Sequence, residues 1–137
     1  MQRTAIALRF GVLASLLLLG LLALPYAMFD AASVQVYYSV GPLSPLVVAL
    51  FAGVAFVALG SAAAGRSDPA VVAGLALVIG LGSLGITLPW ALDAAGVAGG
   101  LPTSAAFDYH RFAVAAAAGL LTLAGAFASP LGDAKGP

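Results

Sequence analysis

The sequence predicts an all-α membrane protein: four antiparallel transmembrane helices in one bundle, with a short extended segment on the outer face. Three observations predict it. Of 137 residues, 63% are hydrophobic and 7% charged, against about 25% charged in soluble domains. Four apolar runs approach or exceed the length that crosses a hydrocarbon core of about 30 Å at about 1.5 Å per residue. Between the first two runs, Ser33 to Pro45 reads SVQVYYSVGPLSP, an alternation closed by a Gly-Pro turn signal.

The first run, Phe10 to Met28, holds eight leucines, each worth about −0.5 kcal/mol at a helix centre, so it should insert alone. Arg3 and Arg9 ahead of it resemble a signal-peptide n-region. However, the apolar core exceeds the usual length of about 7–15 residues and no A-x-A site follows, so retention is expected. The second run is 45–64 and the third 69–92. Gly65-Arg66-Ser67-Asp68 joins them as a tight turn, with Asp68 or Ser67 as N-cap and Pro69 at the first helical position. The fourth run, 112–128, is mostly alanine and glycine. Its insertion should rely on packing, or on Arg111 snorkelling to the interface. No run contains an internal charge. One domain is expected over 1–128, followed by a flexible cytoplasmic tail over 129–137.

Orientation follows from the cations. With the N-terminus in the cytoplasm, Arg3, Arg9, Arg66 and Lys135 lie inside and only Arg111 outside, which the positive-inside rule favours. Both termini are then cytoplasmic and the protein is a multi-pass component of the cell membrane. The alternating segment falls on the outer face, near Pro25-Tyr26 and Trp90. An extended backbone with unpaired amides is not tolerated in lipid. Ser33–Pro45 is therefore expected above the hydrocarbon, with Tyr37, Tyr38 and Trp90 as interfacial anchors.

The combination VQVYYSVGPLSPLVVALFAGVAF, GRSDPAVVAGLALVIGLG and LPWAL, over Val34 to Leu92, resembles an uncharacterised family of small four-helix membrane proteins of halophilic archaea. The resemblance rests on Tyr37-Tyr38, Gly41-Pro42-Leu43 and Arg66-x-Asp68-Pro69. It implies an archaeal cell membrane and four spans. It implies no activity, cofactor or catalytic residue.

Little else in the sequence carries chemistry. Zero net charge and the lack of a basic patch argue against nucleic acid, and the absence of cysteine excludes thiol catalysis and disulfides. No ionisable residue lies at mid-depth of a span, where one would mark a functional site. Ser15, Ser61, Ser83, Thr87 and Thr122 are expected to bond back to helix carbonyls or across a helix pair. The densest polar cluster is Asp108-Tyr109-His110-Arg111. Asp108 could cap the fourth helix and pair with Arg111, leaving His110 nearly dispensable. Asp93, Asp108 and His110 are weak metal candidates without fixed spacing; no metal, cofactor or catalytic residue is expected. Ala49-x-x-x-Gly53, Gly60-x-x-x-Ala64 and Ala70-x-x-x-Gly74 are small-residue pairs that allow close helix approach, read mainly as packing inside the chain. The expected function is non-enzymatic: a structural or accessory component packing with itself, as a homo-oligomer, or with a larger membrane partner, in contact with membrane lipids. The alternative is a subunit of an oligomeric transporter or channel.

Overall fold

A computed structural model of the chain describes residues 2–40, 44–94 and 104–129. It is an all-α membrane bundle. The helices are α1 (Gln2–Met28), α2 (Ala31–Tyr38), α3 (Leu46–Ala63), α4 (Pro69–Asp93) and α5 (Ser104–Ala128). All but α2 are long and apolar enough to span a membrane. Apolar residues lie both inside and outside: Leu18, Leu22, Leu59 and Leu121 are buried, while Leu13, Leu50, Val57 and Val78 are exposed. A helix that is apolar all round suits lipid on its outer side.

The spans run up, down, up, down. α1 and α4 each pack against both α3 and α5, whereas α1 and α4 touch little, so those two sit across the diagonal. One end of the bundle carries the start of α1, the α3–α4 turn and the end of α5. The other end carries α2. The α3–α4 turn is built from the chain's own end groups. Gly65, at φ 78°, follows Ala64, and Arg66 N–H donates to Ser61 C=O at 2.9 Å while Gly65 N–H donates to Ala62 C=O at 3.1 Å. This closes α3 in the left-handed geometry that glycine adopts without a Cβ penalty. Asp68 then caps α4, its Oδ1 accepting from Ala70 N–H at 3.0 Å, with Pro69 following.

The segment between the first two spans differs from its expectation. Residues 31–38 form a helix, not an extended strand. Asp30 starts it, accepting from Ser33 N–H at 3.1 Å and from Ser33 Oγ at 2.8 Å. The buried residues Val34, Tyr37 and Tyr38 stand at i, i+3 and i+4, the spacing of one helix face. A different set, Val34, Val36, Tyr38 and Val40, satisfies a two-residue period, and local capping decided between the two. Gly41-Pro42-Leu43 lie outside the described residues, as does the tail over 130–137.

The fourth span also differs. α5 begins at Ser104 rather than near Phe112, so Asp108 stands within the helix and cannot be its N-cap. Asp108's side chain lies outside the described residues.

Close helix approach is made by glycines other than those in the expected pairs. A Cβ on Gly80 would stand 2.7 Å from Thr122 N and 2.6 Å from its Cα. A Cβ on Gly125 would stand 2.5 Å from Leu77 N and 2.8 Å from its Cα. These two positions bring α4 and α5 together backbone to backbone. Gly53, Gly60 and Gly74 meet nothing within 4 Å, so these glycines do not make the close approach, although Ala49 packs against the core.

Candidate functional site

The polar chemistry of the described residues concentrates at the α2 end, and backbone bookkeeping explains why. A helical carbonyl accepts from the N–H four residues later. Pro25, inside α1, has no N–H to give to Leu21, so that carbonyl is left open. The last carbonyls of α2 and α4, including those of Tyr37 and Ala91, have no helical donor among the described residues, because the helices stop at Tyr38 and Asp93. In lipid, each would cost several kcal/mol (~1–3 by mutational data) if left unpaired.

Three side chains supply the missing donors. His110 Nε2 bonds to Leu21 C=O. Trp90 Nε1 donates to Tyr37 C=O at 2.9 Å. Arg111 Nη1 donates to Ala91 C=O. A cation at a helix C-terminus also complements the helix dipole. Because a carbonyl only accepts, His110 must carry its proton on Nε2, so Nδ1 accepts from Tyr37 O–H at 2.8 Å. Tyr38 O–H donates to Leu22 C=O at 2.6 Å. The network ties α1, α2, α4 and α5 together.

The rings pack on one another as well. Tyr37 and Trp90 meet edge to face with centroids 5.0 Å apart and planes at 65°. Tyr37 and His110 lie 5.6 Å apart, and Tyr26 covers Tyr38 at 5.8 Å. Arg111 lies 4.2 Å over the Phe112 ring, a cation–π contact. Burial, and to a lesser degree the neighbouring Tyr37 and Tyr26 hydroxyls, pushes the Tyr38 phenol well above its ordinary value. At the start of α2, the Ser33 hydroxyl and N–H hold the Asp30 carboxyl below its ordinary value.

The residues singled out in the sequence are placed as follows. Tyr37, Tyr38 and Trp90 were expected to face headgroups as anchors; all three turn inward and are at most 1% exposed. Arg111 was expected to snorkel outward; it is buried and turned toward α4. His110, expected to be dispensable, is the centre of the network. Among the described residues, the exposed aromatics at this end are Tyr26, Tyr109 and Phe112. Asp93 is exposed at the end of α4. Both His110 nitrogens are engaged by the protein, and among the described residues no three His, Cys, Asp or Glu come together as metal ligands. Arg3, Arg9 and Arg66 are exposed at the opposite end. Arg3 lies 5.7 Å over the Phe127 ring.

Of the hydroxyls within the spans, Ser15 bonds back to Val12 C=O at 2.9 Å and Thr122 to Ala118 C=O at 2.9 Å. Ser61 and Ser67 bond each other at 2.6 Å. Ser83 Oγ and Thr87 Oγ1 are fully buried and have no hydrogen-bond partner among the described residues. Pro25 was the available clue to the site: a proline within an apolar helix announces an open carbonyl four residues earlier. Nothing local announced that His110 would fill it.

Neither the curated proteins nor the solved structures contain a match to this chain. Residues 1–132, nearly the whole length and all four spans, match the model of one family of unknown function, and the chain accordingly belongs to that family, DUF7548.

Proposed function

We propose that this protein is a non-enzymatic component of the cell membrane that packs with a second copy of itself or with a larger membrane protein. The observation that carries this reading is a groove of about 630 Å³ on the outer side of α3, lined by Ala49, Gly53, Val57, Ala58, Ser61 and their neighbours. Association between membrane helices depends on close packing, because lipid removes the hydrophobic drive, and small residues permit that approach. Here Gly53 and Gly60 meet nothing of the chain's own bundle within 4 Å, which leaves that approach open to another molecule. The network at the α2 end supports the same reading, since its donors serve the chain's own carbonyls.

The test exploits the absence of cysteine. Single cysteines at Gly53 and Val57, oxidised in native membranes, should cross-link efficiently. A product at twice the chain mass identifies a second copy, and a heavier one identifies a partner. Val78, exposed on α4, serves as the control. Cross-linking at α3 no stronger than at Val78 would refute the proposal.

A second reading, a subunit of an oligomeric transporter or channel, is favoured by Ser83 and Thr87, two buried hydroxyls at i and i+4 on α4 without partners among the described residues. If they only pack, Ser83→Ala with Thr87→Val should leave stability unchanged or raise it, because removing an unpaired polar group relieves its burial cost. If they line a solute path, the same double variant should alter flux in proteoliposomes.

Both termini are assigned to the cytoplasm on the distribution of Arg3, Arg9, Arg66 and Lys135. The resemblance to proteins of halophilic archaea supports an archaeal cell membrane. A cysteine at Ser39 should react with an impermeant reagent outside intact cells, and one at Ala64 should not. The opposite pattern would reverse the orientation.

A further inference from the structure

At the end of the bundle that carries the N-terminus, all four spanning helices border one cleft of about 420 Å³. That volume lies in the range of small-ligand pockets, about 300–1,000 Å³. Thr4, Ala5, Leu8 and Arg9 come from α1, Ala62 and Ala63 from α3, Ala128 from α5, and Asp68, Pro69 and Ala70 from the start of α4. Half of the lining residues are alanine, so the space between helix ends stays open. Two opposite charges face this space. Arg9 makes no ion pair among the described residues, and Asp68 uses Oδ1 to cap Ala70 N–H. The two do not close on each other although they line the same cleft.

We propose that this cleft binds the zwitterionic head group of an amine-bearing phospholipid, with the phosphate on Arg9 and the ammonium on Asp68. A guanidinium presents paired donors that match phosphate oxygens. The remaining Asp68 oxygen accepts from an ammonium group. An anionic head group without an amine would meet the Asp68 carboxylate with no compensating charge, so the same residues select against it. The site lies where the spans end, at the level of lipid head groups. It is separate from the groove on α3 and stands or falls independently of it.

Purified protein in detergent is titrated with short-chain phosphatidylethanolamine, phosphatidylcholine and phosphatidylglycerol, and with glycerophosphoethanolamine, which carries the head group without chains. Binding is read by native mass spectrometry. Asp68→Asn retains N-capping because asparagine caps as well as aspartate, so it removes the charge without removing the helix start. Arg9→Gln removes the cation. Phosphatidylethanolamine is expected to bind at least tenfold more tightly than phosphatidylglycerol. It should also bind more tightly than phosphatidylcholine, whose quaternary ammonium has no N–H for Asp68. Each variant should cost its binding at least tenfold. Preference for phosphatidylglycerol would overturn the proposal, as would phosphatidylethanolamine binding that neither variant weakens. Glycerophosphoethanolamine binding as tightly as the whole lipid would overturn the assignment to a membrane lipid.

Discussion

Alanine at Gly80 tests how closely α4 and α5 are packed. The added Cβ would lie 2.6 Å from Thr122 Cα and 2.7 Å from Thr122 N, whereas carbon atoms pack at about 3.5–4.0 Å. Thr122 Oγ1 is nearer still, but the other two atoms are backbone, so no rotamer change relieves the clash and the helices must part by about 1 Å. A gap of about 0.5–1 Å forfeits a quarter to a half of each contact's attraction, and overpacking costs about 1–3 kcal/mol. The helix-forming advantage of alanine over glycine returns about 0.5–1 kcal/mol. Gly80→Ala should therefore destabilise by about 1–2 kcal/mol net. Gly82→Ala, two residues along the same helix, meets nothing within 4 Å and should be neutral or slightly stabilising. Reversible unfolding in mixed micelles with rising dodecyl sulfate, followed by circular dichroism, measures the difference. Gly125→Ala should behave like Gly80→Ala. The two together should cost less than their sum, because helices already parted accept a second methyl cheaply. Equal stability of Gly80→Ala and Gly82→Ala would refute the close approach.

Further expectations follow from the α2 end. His110→Ala should destabilise by about 1–3 kcal/mol by leaving the Leu21 carbonyl and Tyr37 hydroxyl without their partner, measured in the same micelles; a silent substitution would dismiss the network. Pro25→Ala restores an N–H that can serve Leu21, so a double-mutant cycle of Pro25→Ala with His110→Ala should show His110 mattering less in the alanine background. Asp30 holds a proton less readily when folded, so its capping contribution is complete above the unfolded carboxyl value of about 3.9 and is lost as pH falls through the lower folded value. Trp90, the only tryptophan, bonds to α2 and should report this as a change in emission in acid that Asp30→Asn abolishes. Tyr38 should ionise only at higher pH than ordinary tyrosine, read by ultraviolet difference absorbance, and stability from its neutral form should fall as alkalinity forces the phenolate.

The spans were legible because hydropathy is a sum over twenty or so neighbouring residues and needs no knowledge of the rest of the chain. The α3–α4 turn was legible for a similar reason: a glycine, a capping aspartate and a proline at adjacent positions specify their own geometry. Residues 31–38 read as extended because Val34, Val36, Tyr38 and Val40 alternate with Ser33, Gln35, Tyr37 and Ser39, while Val34, Tyr37 and Tyr38 equally fit a helical period over so short a stretch. Asp30 and the burial of both tyrosines select the helix. α5 starts earlier than its apolar run because polar residues at a span's end do not by themselves stop a helix.

What the sequence alone determined is therefore local: an apolar chain, four spans, a tight turn and no thiol chemistry. The tertiary structure decided which glycines face a neighbour and which face lipid, since composition says that a helix has small residues but not which side meets α5. It also decided the role of His110. The carbonyl that it serves is 89 residues away, and the hydroxyl that serves it is 73 residues away. In a membrane interior an open carbonyl must find a donor, and the packing of α1 against α5 determines which one is within reach.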